Sequence, residues 1–168
     1  MHINNRPIRE AYIVNNQSIE SSEKTLKDKV IGIWSLVSYE VSDNEGNRTY
    51  PMGEDATGFI MYHPEGYMSA QMMSPGRPKY ASGALHTGTQ EEMASAAEGY
   101  LAYAGPYEVD EANYIVTHHM SVSMNPTWLD DTQPRYVNLD GDILEIASPP
   151  VMVDSKKQNT KLIWKRVK

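Results

Sequence analysis

The chain has 168 residues, 40% of them hydrophobic, a net charge of −7 and no cysteine. This length suits one domain with a sizeable buried core. The acidic balance leaves no basic stripe for nucleic acid or an anionic membrane, and the lack of thiols excludes disulfides and thiolate chemistry. No stretch has the apolar length of a signal peptide or a membrane span. We therefore expect a cytoplasmic protein with neither nucleic acid nor membrane as a partner.

The first 23 residues scatter isolated apolar side chains among Asn, Ser, Glu and Arg, with neither a helical nor an alternating period. This pattern predicts a poorly ordered N-terminal arm over residues 1–23, or an arm that packs on a partner subunit in a homodimer. A single β-barrel domain is expected over residues 24–168, beginning with a short helical turn at 26–31.

Eight segments rich in β-forming residues follow, at 32–42, 57–63, 66–73, 105–110, 114–123, 134–139, 142–147 and 160–167. Turn-forming residues separate several of them at hairpin spacing, such as Pro64-Glu65-Gly66 and Asp140-Gly141. Sequential hairpins make an up-and-down meander, and closing it removes exposed edges. The sequence thus predicts an all-β protein with a closed antiparallel up-and-down barrel of about eight strands.

The first and last of these segments carry Trp34 and Arg166. If the two strands are neighbours, the guanidinium can lie over the indole and close one end of the barrel by cation–π packing. The other end is then left for a ligand.

One amphipathic helix is predicted within this array, at 89–104. Thr89 and Glu92 have the spacing of a capping box, apolar residues from Met93 to Ala104 recur at helical spacing, and Gly105-Pro106 stops the run. A lid over the open end and a helix that closes the bottom are both consistent with this position.

Alternation in segment 114–123 selects the first candidate catalytic residue. The even positions are the more apolar ones, so His118 is expected to point into the barrel and His119 outward. A polar-lined barrel or a single bulge would invert this assignment. Because adjacent strand residues point to opposite faces, the two histidines cannot chelate one metal ion, and we expect no metal site. No glycine-rich phosphate loop is present, so no cofactor is expected.

Arg135 is the second candidate catalytic residue, because it shares a strand face with Val137 and Leu139. A cation there is costly unless it is paired, so it meets a carboxylate such as Glu98 or Glu108, or it holds an anionic or carbonyl group of a ligand. The expected ligand-binding residues lie on two predicted strands, in the predicted helix and in a loop that could cap the mouth: Tyr67, Ser69 and Gln71 on one strand face, Met120 on the face of His118, Tyr103 in the helix and Trp128 in the loop.

An ordered set of short motifs resembles the lipocalin-like domain family of small calycin proteins. The motifs are Gly32-x-Trp34 with Leu36–Tyr39, Tyr50–Gly53, Gly66–Gln71, Gly99–Tyr107, Val116–His119, and Arg135-Tyr136 before Leu139–Asp142. They cover roughly residues 30–168. The resemblance implies a calycin-type barrel with a central cavity for a small, largely apolar molecule, and some members of the family act in natural-product pathways as cyclases or isomerases.

Three functions are consistent with the sequence. The first is a cofactor-free isomerase or cyclase that folds a polyketide- or terpenoid-like substrate, with His118 moving a proton and Arg135 stabilising an oxyanion. The second is a small-molecule binding or carrier protein without chemistry. The third is a protein-interaction module with a solid barrel. The combination of histidine, arginine and several tyrosines favours the enzyme.

Overall fold

The computed structural model describes residues 23–84, 86–153 and 155–168. Within these ranges the elements are α1 (Leu26–Val30), β1 (Gly32–Asp43), β2 (Arg48–Thr49), β3 (Thr57–Tyr62), β4 (Tyr67–Met73), α2 (Gln90–Glu98), β5 (Tyr100–Asp110), β6 (Ile115–His119), β7 (Val122–Ser123), a 3₁₀ helix (Pro126–Trp128), β8 (Thr132–Asp140), β9 (Ile143–Ala147), β10 (Val151–Val153) and β11 (Lys156–Arg166). The predicted arm, apart from residue 23, lies outside the described residues, and the domain boundary at residue 24 stays a prediction.

Eight strands close into an antiparallel barrel. The order β1, β3, β4, β5, β6, β8, β9, β11 follows the chain, and β11 pairs with β1 to complete the circle. The short strands β2, β7 and β10 extend the ladder at β1, β5 and β11. The prediction of a closed up-and-down barrel is confirmed, because each barrel strand pairs with the barrel strands before and after it in the chain.

The predicted contact between Trp34 and Arg166 closes one end of the barrel. The guanidinium carbon lies 3.9 Å from the centre of the Trp34 ring system, and the buried indole N–H donates to the carbonyl of Val30 at 2.8 Å. Arg166 also donates to the carbonyl of Ile31 at 2.9 Å and to that of Lys29 at 2.5 Å. One side chain therefore ties the last strand to the first strand and to α1.

Helix α1 lies across this closed end. Arg166 holds its C-terminal end through the carbonyl groups of Lys29 and Ile31, and a second set of contacts holds its N-terminal end. Thr25 and Asp28 form a capping box, and the Glu111 carboxylate accepts from the backbone N–H of Leu26 at 2.6 Å and of Lys27 at 2.9 Å. These bonds satisfy amide groups that have no partner inside a helix. The closed end is thus made by α1 and not by the predicted helix at 89–104.

The predicted helix at 89–104 is too long. The capping box at Thr89 and Glu92 is present, but α2 ends at Glu98, and residues 100–104 form the start of β5. In β5, Tyr103 faces the barrel interior and pairs with Ala70 of β4, so sheet pairing and burial outweigh helical spacing. No residue of α2 is buried and none lines the main cavity, so α2 is neither lid nor bottom.

The predicted strand at 114–123 is interrupted after His119. Between the pairs Tyr107–His118 and Tyr103–Ser123, the β6–β7 side has one residue more than β5, which is the spacing of a β-bulge. The bulge turns Val122 outward, contrary to the even-position pattern, with 61% of its surface exposed. The bulged backbone at His119 comes very close to β5 at Gly105. Only a glycine leaves room for it, because a Cβ at this position would lie 1.8 Å from the His119 carbonyl oxygen.

Replacing Trp34 by alanine should lower the free energy of unfolding by about 3–5 kcal/mol, because it removes a large buried aromatic side chain. Arg166→Ala should remove part of the same stabilisation. In a double-mutant cycle measured by chemical denaturation, the coupling between the two changes should reach about 0.5–3 kcal/mol. Strictly additive losses would contradict the contact.

Candidate functional site

A cavity of about 410 Å³ occupies the barrel interior. Its apolar wall is formed by inward-facing side chains of five strands: Ile60, Met72, Leu101, Ile146, Leu162 and Trp164. The rim carries Trp128, Thr132, Pro149 and Val151. These rim residues lie at the strand ends opposite to α1, so the cavity opens at the end that the Arg166 contact leaves free.

His118 lies inside the barrel, as alternation predicts, and is completely buried. The Tyr62 hydroxyl lies 2.8 Å from its Nε2, and the Tyr103 hydroxyl lies 3.3 Å from its Nδ1. Burial, with a smaller effect of the nearby charges of Arg135 and His119, lowers the pKa of His118 from 6.5 to about 3. The imidazole is therefore neutral at physiological pH.

A neutral imidazole has one donor and one acceptor nitrogen, so one tyrosine donates to His118 and the other accepts from it. Tyr103 lines the cavity, whereas Tyr62 does not. When Tyr62 donates to Nε2, Nδ1–H donates to Tyr103, and the Tyr103 hydroxyl proton is free for a ligand. In the other tautomer Tyr103 donates to Nδ1 and offers a ligand its oxygen as an acceptor.

The tyrosines beside the cavity are also neutral. Burial raises the pKa of Tyr39 and Tyr103, and it raises that of Tyr62 well above its ordinary value. The positive charge of Arg135 acts in the opposite direction on all three but does not overcome burial. The array supplies hydrogen bonds at neutral pH and no negative charge.

Arg135 faces the cavity with 9% of its surface exposed. Its Nη1 donates to the carbonyl of Pro134 at 3.2 Å, and its Nη2 donates to the Gln133 side-chain oxygen. Within the described residues no carboxylate forms a salt bridge with it. The expected partner Glu108 instead lies 3.8 Å from His119 on the outside, and the other, Glu98, ends α2, none of whose residues is buried.

Trp128 and Tyr103 lie together at the mouth side of the cavity. The 3₁₀ helix that carries Trp128 is capped by Asn125, whose side chain accepts from the Thr127 N–H at 3.1 Å. The two rings meet edge to face with their centres 5.7 Å apart. Met120, another predicted ligand-binding residue, is buried but does not line the cavity.

The structure places three predicted ligand-binding residues on the outer face of the barrel. Tyr67 is 61% exposed, and Ser69 and Gln71 border a shallow outer groove beside β7. The apolar side chains of β4, those of Met68 and Met72, fill the interior instead. The oxygen-rich face of this strand therefore points to solvent, as in a half-buried strand whose polar face is solvated.

Tyr39, Tyr62 and Gln133 are not among the residues predicted from the sequence pattern. Tyr62 shares its strand face with Ile60, so alternation contained the signal for an inward position. Tyr39 follows a register irregularity between Leu36 and Ser38, which removes that signal from β1. Gln133 gives no signal in the sequence, because its part in the site is to accept a hydrogen bond from the Arg135 guanidinium.

In the described part of the chain, no three His, Cys, Asp or Glu side chains are placed to hold a metal ion, and no described helix is long and apolar enough to span a membrane.

Comparisons with known proteins identify the family of the chain. A family model described as a lipocalin-like domain matches residues 31–167. The chain belongs to the lipocalin-like domain family. A 4'-hydroxy-3'-methoxypropiophenone carrier protein, ppsC, of Aspergillus oryzae is 36% identical over 107 residues, which is 60% of this chain and 96% of that protein. A lipocalin-like protein from Bacteroides uniformis is similar to 83% of this chain and 99% of its own, with 16% identity and a TM-score of 0.44.

The buried histidine makes the stability of this lipocalin-like domain sensitive to acid. Because the pKa of His118 in the folded chain, about 3, lies below its ordinary 6.5, the unfolded chain binds more protons between these values. The stabilisation is complete above pH 6.5 and decreases as the pH falls toward 3. Between pH 7 and pH 5 the protein should lose about 2 kcal/mol more than its His118→Gln variant.

Denaturation at the two pH values measures this difference, with His119→Gln as the control on the opposite strand face. An NMR titration that finds the His118 ring protonating with a midpoint near pH 6.5 would contradict it.

Proposed function

We propose that the protein is a carrier for a small, largely apolar molecule, and that it holds an oxygen of this molecule with the Arg135 guanidinium and the Tyr103 hydroxyl. The observation that carries the proposal is the buried Arg135 on the cavity wall without a carboxylate partner among the described residues. A buried cation is costly unless it is paired. A ligand oxygen would supply the missing charge-assisted hydrogen bonds.

The cavity has the size and composition that such a ligand needs. A volume of about 410 Å³ lies in the range of small-molecule sites, which combine apolar walls with a few orienting polar groups. The indole N–H of Trp164, a residue of the wall, has no hydrogen-bond partner among the described residues. It is a candidate donor to a second ligand oxygen.

The Aspergillus relative supports a carrier role and a ligand class. Its name describes a carrier for an aromatic ketone with hydroxyl and methoxy substituents. An aromatic ring with a short alkyl chain would contact the Leu101, Leu162 and Trp164 walls. The oxygens at its ends are acceptors for Arg135 and Tyr103, so the same class of molecule is the first to test here.

Titration with 4'-hydroxy-3'-methoxypropiophenone should show saturable binding and a higher melting temperature. Arg135→Gln should weaken the affinity by about 10- to 100-fold, because it removes a charge-assisted hydrogen bond, and Tyr103→Phe by about 2- to 10-fold. Tyr67→Phe, which changes the same type of side chain on the outer face, is the matched control. Calorimetry that finds no saturable binding, or the same affinity for Arg135→Gln, would refute the proposal.

A cofactor-free isomerase or cyclase acting on a polyketide- or terpenoid-like substrate is the second candidate. The hydrogen-bonded array of Tyr62, His118 and Tyr103 that continues into the cavity favours it, because Tyr103 and Arg135 together could polarise a carbonyl. The array is a poor source of protons, however. If Tyr103 gave its proton to a substrate, His118 would replace that proton and Tyr62 would in turn donate its own proton to His118. Tyr62 would then be a phenolate, and burial strongly disfavours that state.

Deuterium exchange separates the two candidates. In D₂O an enolising enzyme would accelerate exchange at the carbon next to the ketone of the bound ligand, and His118→Ala would lower this rate by about 10²–10⁴. For the carrier we expect exchange at the rate of the free ketone and recovery of the ligand unchanged, followed by NMR. His119→Ala is the control from the outer face.

The homodimer through residues 1–23 and the cytoplasmic location stay predictions of the sequence. The third candidate, an interaction module with a solid barrel, has no support from the cavity geometry.

A further inference from the structure

We infer that the cavity takes its ligand as an oxyanion: the conjugate base of a hydroxyl that is conjugated to a carbonyl, as in a 4-hydroxyaryl ketone. The inference rests on the proposed function, because it concerns the same cavity and the same Arg135. It adds the charge state of the ligand, and with it a selection for acidic hydroxyl groups over ethers and ordinary alcohols.

The charge balance of the cavity is the first argument. The titratable side chains near Arg135 are Tyr39 of β1, Tyr62 of β3, Tyr103 of β5 and His118 of β6. All are uncharged at neutral pH, and no Asp or Glu is among the described residues that line the cavity. The described site therefore carries one positive charge that its own walls do not balance, inside a chain whose net charge is −7.

The free donors of Arg135 are the second argument. A guanidinium has five N–H groups. Two of them are engaged with Pro134 and Gln133, the Tyr103 hydroxyl also interacts with the guanidinium, and the remaining N–H groups have no acceptor among the described residues. An oxyanion accepts several such bonds, and these bonds are stronger than those to a neutral oxygen. Within a cavity of low dielectric constant the Coulomb attraction to the guanidinium adds to this preference.

The proton balance is the third argument. When the ligand is a phenol in solution, binding breaks its O–H bond, the electron pair stays on the oxygen beside Arg135, and the proton leaves to solvent. His118 does not take it, because both ring nitrogens already have tyrosine partners at 2.8 and 3.3 Å. No strong base is among the described residues that line the cavity, so the hydroxyl has to be acidic by itself, and conjugation to a carbonyl makes it so.

A matched pair of ketones tests the inference on the unmodified protein. 4-Hydroxypropiophenone can ionise at its hydroxyl, whereas 4-methoxypropiophenone is larger by one methyl group and has no ionisable hydroxyl. At a pH where the free phenol is mostly protonated, the bound hydroxy ketone should show the long-wavelength absorption band of its phenolate. Calorimetry in two buffers with different ionisation heats should find about one proton released per ligand bound.

The affinities should differ in their response to pH. For the hydroxy ketone the dissociation constant should fall about tenfold for each pH unit up to the ligand's own pKa and stay level above it. For the methoxy ketone it should stay constant and be at least about tenfold weaker at the plateau. Arg135→Gln should abolish the phenolate band, and Arg48→Gln is the control, because Arg48 pairs with Glu40 on the surface.

Each outcome decides a separate point. Binding of the hydroxy ketone without a phenolate band, without proton release and with no pH dependence would overturn the inference and leave the proposed carrier function standing. Failure of both ketones to bind would overturn both. Because the band and the proton count are measured on the unmodified protein, the test holds even if Arg135→Gln does not fold.

Discussion

The contact between Arg166 and Trp34 is the constraint on which the barrel depends. The contact joins the last strand to the first where the sheet closes. The same Arg166 side chain donates hydrogen bonds to the carbonyl groups of Ile31 and Lys29 and so anchors α1 across this end. Gly32 is part of this arrangement, because its φ of +133° suits glycine and a Cβ would lie 2.8 Å from the Arg166 Nη1. Because this end is closed, a ligand would reach the polar groups inside the barrel through the opposite mouth.

The interior beyond this closure is costly for the folded chain. Arg135 is a buried cation without a carboxylate partner among the described residues, and such burial is costly; His118 and its two tyrosine partners are hydrogen-bonded to one another and neutral. An interior selected for stability alone would have apolar side chains at these positions. The ligand that we propose would complete the hydrogen bonding of Arg135, and it would stabilise the fold when it binds.

Local pattern was enough to predict the barrel, the inward His118 and Arg135, and the closing contact. It failed where two faces of a strand had to be ranked: in β4 the face of Tyr67, Ser69 and Gln71 is richer in oxygen, yet the apolar face fills the core. It also failed where a distant contact decides. The end of α2 depends on pairing between β4 and β5, and the bulge after His119 depends on Gly105 of the neighbouring strand. Tyr62 lies 56 residues from His118 in the chain, a separation that no local period reveals.

The closed end of the barrel would also govern the kinetics of the proposed ligand exchange. In the described part of the chain Trp34 and α1 fill the end opposite to Trp128, so a ligand that enters past Trp128 would leave by the same mouth. A new molecule cannot push the old one through, so it waits until the site is empty. Replacement of bound ligand is then first order in the loaded protein and independent of the competitor concentration. For a given ligand, the residence time would then be set by its contacts with the cavity wall and the rim.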